Sequence, residues 1–124
     1  TRVLEFVDQK INVAFAQDSI VDLWYPAGNG NMMNILDNGI HLAQLMRKDD
    51  FDKNFDLVTY NGAKLMGLEK EYGLEIGKPA NFIVLDAPSV FEAQRNRVEC
   101  LASIRNGLYL FKKAERSHEI GLDI

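Results

Sequence analysis

One carboxylate in this sequence stands where enzymes often place a catalytic group. Asp18 follows an apolar run, residues 11–16, whose residue types favour a buried strand. Barrels of alternating strands and helices present catalytic carboxylates at the C-terminal ends of their strands. An Asp after a strand is also a common turn residue or helix cap, so both interpretations of Asp18 stay open.

The single tryptophan of the chain comes shortly after Asp18. Trp24 belongs to an aromatic segment, residues 20–26, that has neither the helical nor the strand period. A flat ring beside a carboxylate could form one wall of a pocket for a planar ligand, because ring faces stack favourably. It could equally cover the end of a barrel or sheet.

The other residues that could do chemistry do not form a complete set. A hydrolytic metal site needs several converging ligands, typically His and carboxylate, and the sequence has only His41 and His118. We interpret His41 as a helix residue near the core edge or surface, and His118 as a solvated tail residue. The acidic residues Asp49, Asp50 and Asp52 lack the spacing of a calcium-binding loop and predict a solvated turn.

Composition and charge are those of an ordinary globular protein. The 124 residues are 47% hydrophobic and 26% charged, and the net charge of −4 argues against a nucleic-acid partner. The single cysteine, Cys100, excludes an internal disulfide, and its apolar neighbours suggest a small buried hydrophobe. No apolar run reaches the ~18 residues of a membrane span, so we expect a cytoplasmic chain without a membrane partner.

Hydrophobic periodicity predicts helices on both sides of the candidate strand. The first is short, and its expected buried stripe is Val3, Leu4, Phe6 and Val7. The second covers 32–47 with Asn31 as N-cap, and Gly39 within it permits close packing. After a charged break at 48–54, a further helix is expected at 55–66.

A small β region is predicted after these helices. Residues 80–86 have the pattern of a strong strand, and 89–96 that of a short helix or turn. Strands at 98–105 and 108–112 are joined by Asn106-Gly107, a strong two-residue hairpin signal. The polar residues after them are typical of a peripheral tail.

Two stretches of the sequence resemble a known enzyme family. Residues 11–46 resemble the cytosine deaminase branch of the amidohydrolase superfamily: the strand, the Asp, the Trp-Tyr-Pro loop, the Asn-Met helix start and the Gln-Leu-Met helix end occur in order. Residues 72–85, a Gly-rich turn before a strand, resemble the C-terminal signature of the superfamily. The resemblance extends over residues 1 to about 112.

The resemblance implies an α/β fold of a specific kind. The chain would be the C-terminal fragment of a metal-dependent (β/α)8 barrel hydrolase, with the last barrel strand and helices, plus strands of the small β-sandwich. Residues 1–70 would form the C-terminal end of the barrel. Residues 71–124 would form part of the sandwich and a C-terminal tail.

The resemblance also implies an activity, the hydrolytic deamination of cytosine or a related nucleobase or cyclic amidine. Asp18 falls on the family's metal-coordinating aspartate, which also takes a proton from the attacking water. A metal ion lowers the pKa of its bound water towards ~7, and an adjacent carboxylate can relay the proton. The cofactor would be a divalent ion, zinc or iron, with most of its ligands outside this chain. Trp24 falls on an aromatic residue that packs against the pyrimidine.

Three positions depart from the family pattern. Gln17 stands where the branch has a His, Ser19 where it has a second Asp near the substrate, and Asn81 replaces the more usual Asp. The missing carboxylate at Ser19 changes the charge of the pocket. We therefore expect a small-molecule partner that is a nucleobase or similar heterocycle, with Gln17, Ser19 and Trp24 as its binding residues.

The family's H-x-H motif, its later His ligands and its general-base Glu have no counterpart in this sequence. We therefore expect the 124-residue chain alone to be catalytically inert. A second interpretation is a non-catalytic α+β interaction module derived from such an enzyme. A barrel strand without neighbours leaves unpaired edges and exposed apolar surface, which predicts self-association.

Overall fold

The computed structural model describes residues 2–47 and 51–114. In its first part, α1 spans Val3–Asp8, α2 spans Met32–Ala43, α3 spans Phe51–Asn54, a 3-10 helix spans Phe55–Val58, and α4 spans Tyr60–Leu65. In its second part, β1 spans Phe82–Leu85, α5 spans Val90–Arg95, β2 spans Cys100–Arg105, and β3 spans Leu108–Lys112. Among the residues described, no helix is long and apolar enough to cross a membrane.

The hydrophobic core lies among the helices. Leu36 and Ile40 are the largest fully buried side chains, and their helical spacing places both on one face of α2. The other buried members of this cluster are Val3, Ala43, Leu45 and Leu57. α2 is therefore the element around which the core is assembled.

Asparagine side chains bond to the backbone at the start of α2 and just beyond its end. Asn31 is the N-cap, as predicted, because its side-chain oxygen accepts the N–H of Met33 at 3.0 Å. The helix ends earlier than predicted, at Gln44, which takes a left-handed conformation with φ 58°. Just beyond it, the buried Asn54 donates to the carbonyl of Leu45 at 2.8 Å. This bond satisfies the carbonyl of Leu45, which is buried in the core beyond the end of the helix.

The predicted burial of the first helix is largely wrong. Val3 is buried, but Leu4, Phe6 and Val7 are about half exposed or more. Within the part of the chain that the structure describes, α1 contacts the core through Val3. Its other apolar side chains are only about half covered by the described residues.

The predicted strand at 11–16 does not form among the described residues. A strand needs a neighbouring strand to complete its ladder, and here the polar groups of the segment bond to helical residues. The N–H of Phe15 donates to the carbonyl of Leu57 at 2.7 Å. Asn12 donates to the carbonyl of Asn61 at 3.0 Å, and Asn61 donates to that of Val13 at 2.7 Å.

The predicted helix at 55–66 is divided in two at Thr59. Thr59 has φ −131° and ψ −96°, outside the helical region, and its hydroxyl donates to the carbonyl of Phe55 at 2.7 Å. The carbonyl of Leu57 accepts Phe15 from outside the helix. Residues 51–54 form a helical turn where the sequence predicted a break, and the rest of that break, 48–50, lies outside the described residues.

The second part of the chain forms a three-stranded antiparallel sheet in the order β1-β2-β3. The predicted hairpin is confirmed: Asn106 and Gly107 both have positive φ, 50° and 76°, as a type I′ turn requires. The predicted helix after β1 is also confirmed, with Ser89 capping α5 through a bond from the N–H of Glu92 at 3.2 Å. Ala102 is the one buried residue of the three strands, and β3 is exposed throughout.

The architecture is therefore a small α/β arrangement in which helices carry the core and the sheet is poorly covered. Lys113 and Ala114 follow β3 without regular structure. The rest of the predicted tail, including His118, lies outside the described residues.

Candidate functional site

The structure brings all the predicted site residues together. Gln17, Asp18, Ser19 and Trp24 line one open depression of about 270 Å³. The other residues that line it are Ala16, Tyr25, Ile35 and Asn38. Asp18 is exposed, so its carboxylate is free to meet a ligand from solvent.

The segment that leads to Asp18 is held by the core on two sides. On one side, its backbone is bonded to Leu57 and to the side chain of Asn61. On the other, the ring of Phe15 lies against Gly39 of α2, where an added Cβ would lie under 3.0 Å from two ring carbons. These contacts fix the point at which the chain emerges at the depression.

A side-chain bond closes the turn that carries Asp18. The amide of Gln17 donates to the carbonyl of Ser19 at 2.8 Å, bridging across Asp18. Gln17 and Ser19 are half-buried, while Asp18 between them is exposed. The turn thus presents a single carboxylate, flanked by two uncharged polar side chains.

Asp22 organises the aromatic loop that follows. One oxygen of its carboxylate accepts the N–H groups of Trp24 and Tyr25, each at 2.8 Å. The nearby Ser19 side chain above all, together with these two bonds, lowers the pKa of the Asp22 carboxyl from its ordinary value. Asp22 was not predicted from the sequence, although an Asp two or three residues before the N–H groups it accepts is the signal for such a turn.

The ring of Trp24 stands at the edge of the depression. It is 92% exposed, and the adjacent Leu23 is also fully in solvent. Within the described part of the chain, Trp24 therefore covers no strand or helix end. Its faces are open to a planar ligand beside Asp18.

Asp18 has no partners for a metal ion in this part of the molecule. The described residues contain no group of three or more His, Cys, Asp or Glu side chains that could hold a metal ion. His41 lies on the exposed side of α2 with its Nδ1 2.7 Å from the carbonyl of Asp37, as expected for a surface helix residue. Cys100 is half-buried, and its thiol donates to the carbonyl of Ala102 at 3.1 Å. An exposed carboxylate fits one position of a metal site whose other ligands come from elsewhere.

The chain belongs to the amidohydrolase family, whose sequence model matches residues 1–110. Among solved structures, it is similar to 5-methylcytosine deaminase from Klebsiella pneumoniae, liganded with phosphonocytosine or with 5-fluorocytosine. The identity is 44% and the TM-score 0.86 over 96% of this chain and 29% of that one. The family resemblance of the motifs is thereby confirmed.

Two further relatives are named for a different substrate, N-isopropylammelide. N-isopropylammelide isopropyl amidohydrolase from Pseudomonas sp. (strain ADP) is 33% identical over 110 residues, which are 89% of this chain and 27% of that protein. The crystal structure of N-isopropylammelide isopropylaminohydrolase from Burkholderia multivorans ATCC 17616 shares the fold, with 24% identity and a TM-score of 0.78 over 88% of this chain and 28% of that one. The chain thus spans less than a third of the length of these relatives.

Proposed function

We propose that this chain is part of a metal-dependent amidohydrolase that hydrolytically deaminates cytosine or a related nucleobase or cyclic amidine. The observation that carries the proposal is that Asp18 and Trp24 line the same open depression. A proton-accepting group and a stacking surface for a planar ring are the two features that such a reaction requires of this region. The 44% identical relative was crystallised with cytosine analogues, which supports the substrate class.

In this proposal Asp18 has two roles, as one ligand of a divalent metal ion and as the proton relay. The metal, zinc or iron, would supply Lewis-acid activation of the attacking water. The Asp18 carboxylate would hold the proton released by that water and transfer it to the departing amine. Its exposure supports this role, because the carboxylate meets the ligand without any movement of the core.

The substrate would lie against Trp24, with the polar edge of the depression formed by Gln17 and Ser19. The Gln17 amide donates to the carbonyl of Ser19, which leaves its own oxygen to accept an N–H of the heterocycle. Neither flanking residue is titratable, so Asp18 is the one acidic side chain among the described residues that line the depression. This setting suits a neutral heterocycle.

The proposal includes a division of the chain between two parts of the enzyme. Residues 1–70 would complete the C-terminal end of a (β/α)8 barrel, with 11–16 pairing as its last strand once neighbouring strands are present. Residues 71–124 would contribute to the small β-sandwich and the C-terminal tail. The exposed apolar side chains of α1 and β3 support this division, because both surfaces lack a covering element here.

The test is an activity screen of the complete gene product that carries this sequence. Ammonia release from cytosine and 5-methylcytosine, and amine release from N-isopropylammelide, would be measured after chelation and after addition of Zn²⁺ or Fe²⁺. We expect deamination of at least one pyrimidine that chelation abolishes and one of the metals restores. The 124-residue chain is the control and should show no turnover with either metal.

An absence of metal-dependent turnover on all three substrates would contradict the proposal. That result would favour the second candidate, a non-catalytic α+β interaction module derived from such an enzyme. Turnover of N-isopropylammelide alone would support the hydrolase activity but contradict the preference for pyrimidines. Turnover by the 124-residue chain itself would contradict the requirement for ligands from outside this sequence.

A further inference from the structure

Within the described part of the chain, packing does little to hold the loop that carries Trp24. Residues 20–28 contain no helix or strand, and four of their apolar side chains, Ile20, Val21, Leu23 and Trp24, are more than 60% exposed. A side chain with so few contacts takes its position from the backbone beneath it. The placement of the indole beside Asp18 must therefore come from the polar bonds of the loop.

Those bonds converge on one carboxylate. Asp22 accepts the two consecutive N–H groups of Trp24 and Tyr25, each at 2.8 Å. Bonds from N–H groups to an ionised carboxylate are stronger than those to a neutral acceptor. Asp22 thus holds the backbone of the loop at Trp24 itself.

The end of the loop is closed without room for a side chain. The N–H of Gly28 donates to the carbonyl of Tyr25 at 3.3 Å. A Cβ on Gly28 would lie under 3.0 Å from the carbonyl oxygen of Ile20 and from the ring of Tyr25. At this point the loop folds back on Ile20, so the Asp22 bonds lie within a loop whose two ends are close together.

We propose that Asp22 is the positioning residue of the substrate-stacking loop. The proposal deepens the proposed function and rests on it for the identity of the ligand that Trp24 meets. Asp22 does not touch the reacting atoms. It acts by fixing where the indole stands relative to Asp18.

The first test compares Asp22→Ala with Asp22→Asn in the complete gene product, using cytosine and 5-methylcytosine as substrates. An Asn oxygen can accept the same two N–H groups, because Asn and Asp are about equal in such caps. We expect Asp22→Ala to raise KM about tenfold, as expected for the loss of charge-assisted hydrogen bonds, while kcat changes less than about threefold. Asp22→Asn should restore KM to within about threefold of the unmodified protein. An unchanged KM in Asp22→Ala, or no rescue by Asn, would overturn the positioning role.

A second measurement needs no substrate and so separates this inference from the proposed function. Amide hydrogen exchange of the peptide covering 19–28 reports the bonded N–H groups of Trp24 and Tyr25. Asp22→Ala should lose protection in this peptide, Asp22→Asn should keep it, and peptides from α2 should be unchanged in both. Equal exchange in all three proteins would contradict the positioning role of Asp22, even if deamination is found. Loss of protection in Asp22→Ala would support that role, even if no substrate is turned over.

Discussion

The ring of Phe15 lies directly on Gly39 of α2, at a separation that leaves no space for a side chain. A Cβ built on Gly39 would lie under 3.0 Å from Cδ2 and Cε2 of that ring. The contact joins the segment that leads to Asp18 to the helix that assembles the core. The absence of a side chain at Gly39 is thus a condition for the position of the candidate site.

Gly39→Ala tests this contact. Alanine gains about 1 kcal/mol of helix propensity over glycine, but overpacking of a core contact costs about 1–3 kcal/mol. We expect a net loss of about 1 kcal/mol in the free energy of unfolding, measured by urea denaturation. Gly62→Ala in α4 is the matched control: nothing lies within 4 Å of the added Cβ, so it should stabilise the protein. Equal stabilisation by both substitutions would show that Phe15 does not constrain Gly39.

The side chain of Asn61 provides a second test of how the segment before Asp18 is held. Asn61→Ala removes the bond to the carbonyl of Val13, which is 2.7 Å long and half-buried. We expect a loss of about 1–2 kcal/mol in the free energy of unfolding, because the carbonyl is left without its partner. Asn34→Ala is the control, since the bond that its side chain makes to Asn29 is exposed. A loss of stability no larger than that of Asn34→Ala would show that the Asn61 side chain does not hold this segment.

The carboxyl of Asp56, in the 3-10 helix, predicts a pH-dependent effect. Burial raises its pKa above the ordinary value of 3.8. Because the folded state binds this proton more tightly than the unfolded state, the contribution of Asp56 to stability falls as pH rises from 3.8 through the folded pKa. Asp56→Asn should therefore raise the free energy of unfolding at pH 7 slightly, by ~0.5 kcal/mol or less, and should lose this advantage in acid. A thermal melt series over pH 3 to 7 measures the difference, and a constant or opposite difference would contradict it.

The uncovered sheet predicts self-association of the 124-residue chain. Leu110 of β3 is 66% exposed on an edge strand, where unpaired N–H and C=O groups also face solvent. Sedimentation velocity should show a mass that rises with concentration, and Leu110→Lys should reduce it. Leu42→Lys is the matched control, because Leu42 is 75% exposed on α2, away from the sheet. A monomer at every concentration would contradict this prediction.

The features that could be predicted from sequence are those set by neighbouring residues. The Asn106-Gly107 turn was predictable because its two positive φ angles depend on the turn residues themselves. The same holds for the cap of α2, where Asn31 and Met33 are close in sequence. Asp18 and Trp24 were proposed as site residues from their place after an apolar run and from the family motif, and they line one depression.

The features that could not be predicted depend on distant partners. The break at Thr59 accompanies a bond from Phe15 to the carbonyl of Leu57, which no local pattern shows. The apolar run at 11–16 predicts a strand, but a ladder needs neighbours that the described residues do not supply. The exposure of Phe6 has the same cause, because periodicity shows an apolar face and not what covers it.

The proposed function requires Asp18 to be a metal ligand and the proton relay of a deaminase. The most direct measurement is the metal content and kcat/KM of the complete gene product with Asp18→Asn, beside the control Asp8→Asn at the exposed end of α1. We predict that Asp18→Asn lowers kcat/KM at least about 100-fold and reduces bound metal, while Asp8→Asn changes neither. Full activity and full metal content in Asp18→Asn would contradict both proposed roles of Asp18.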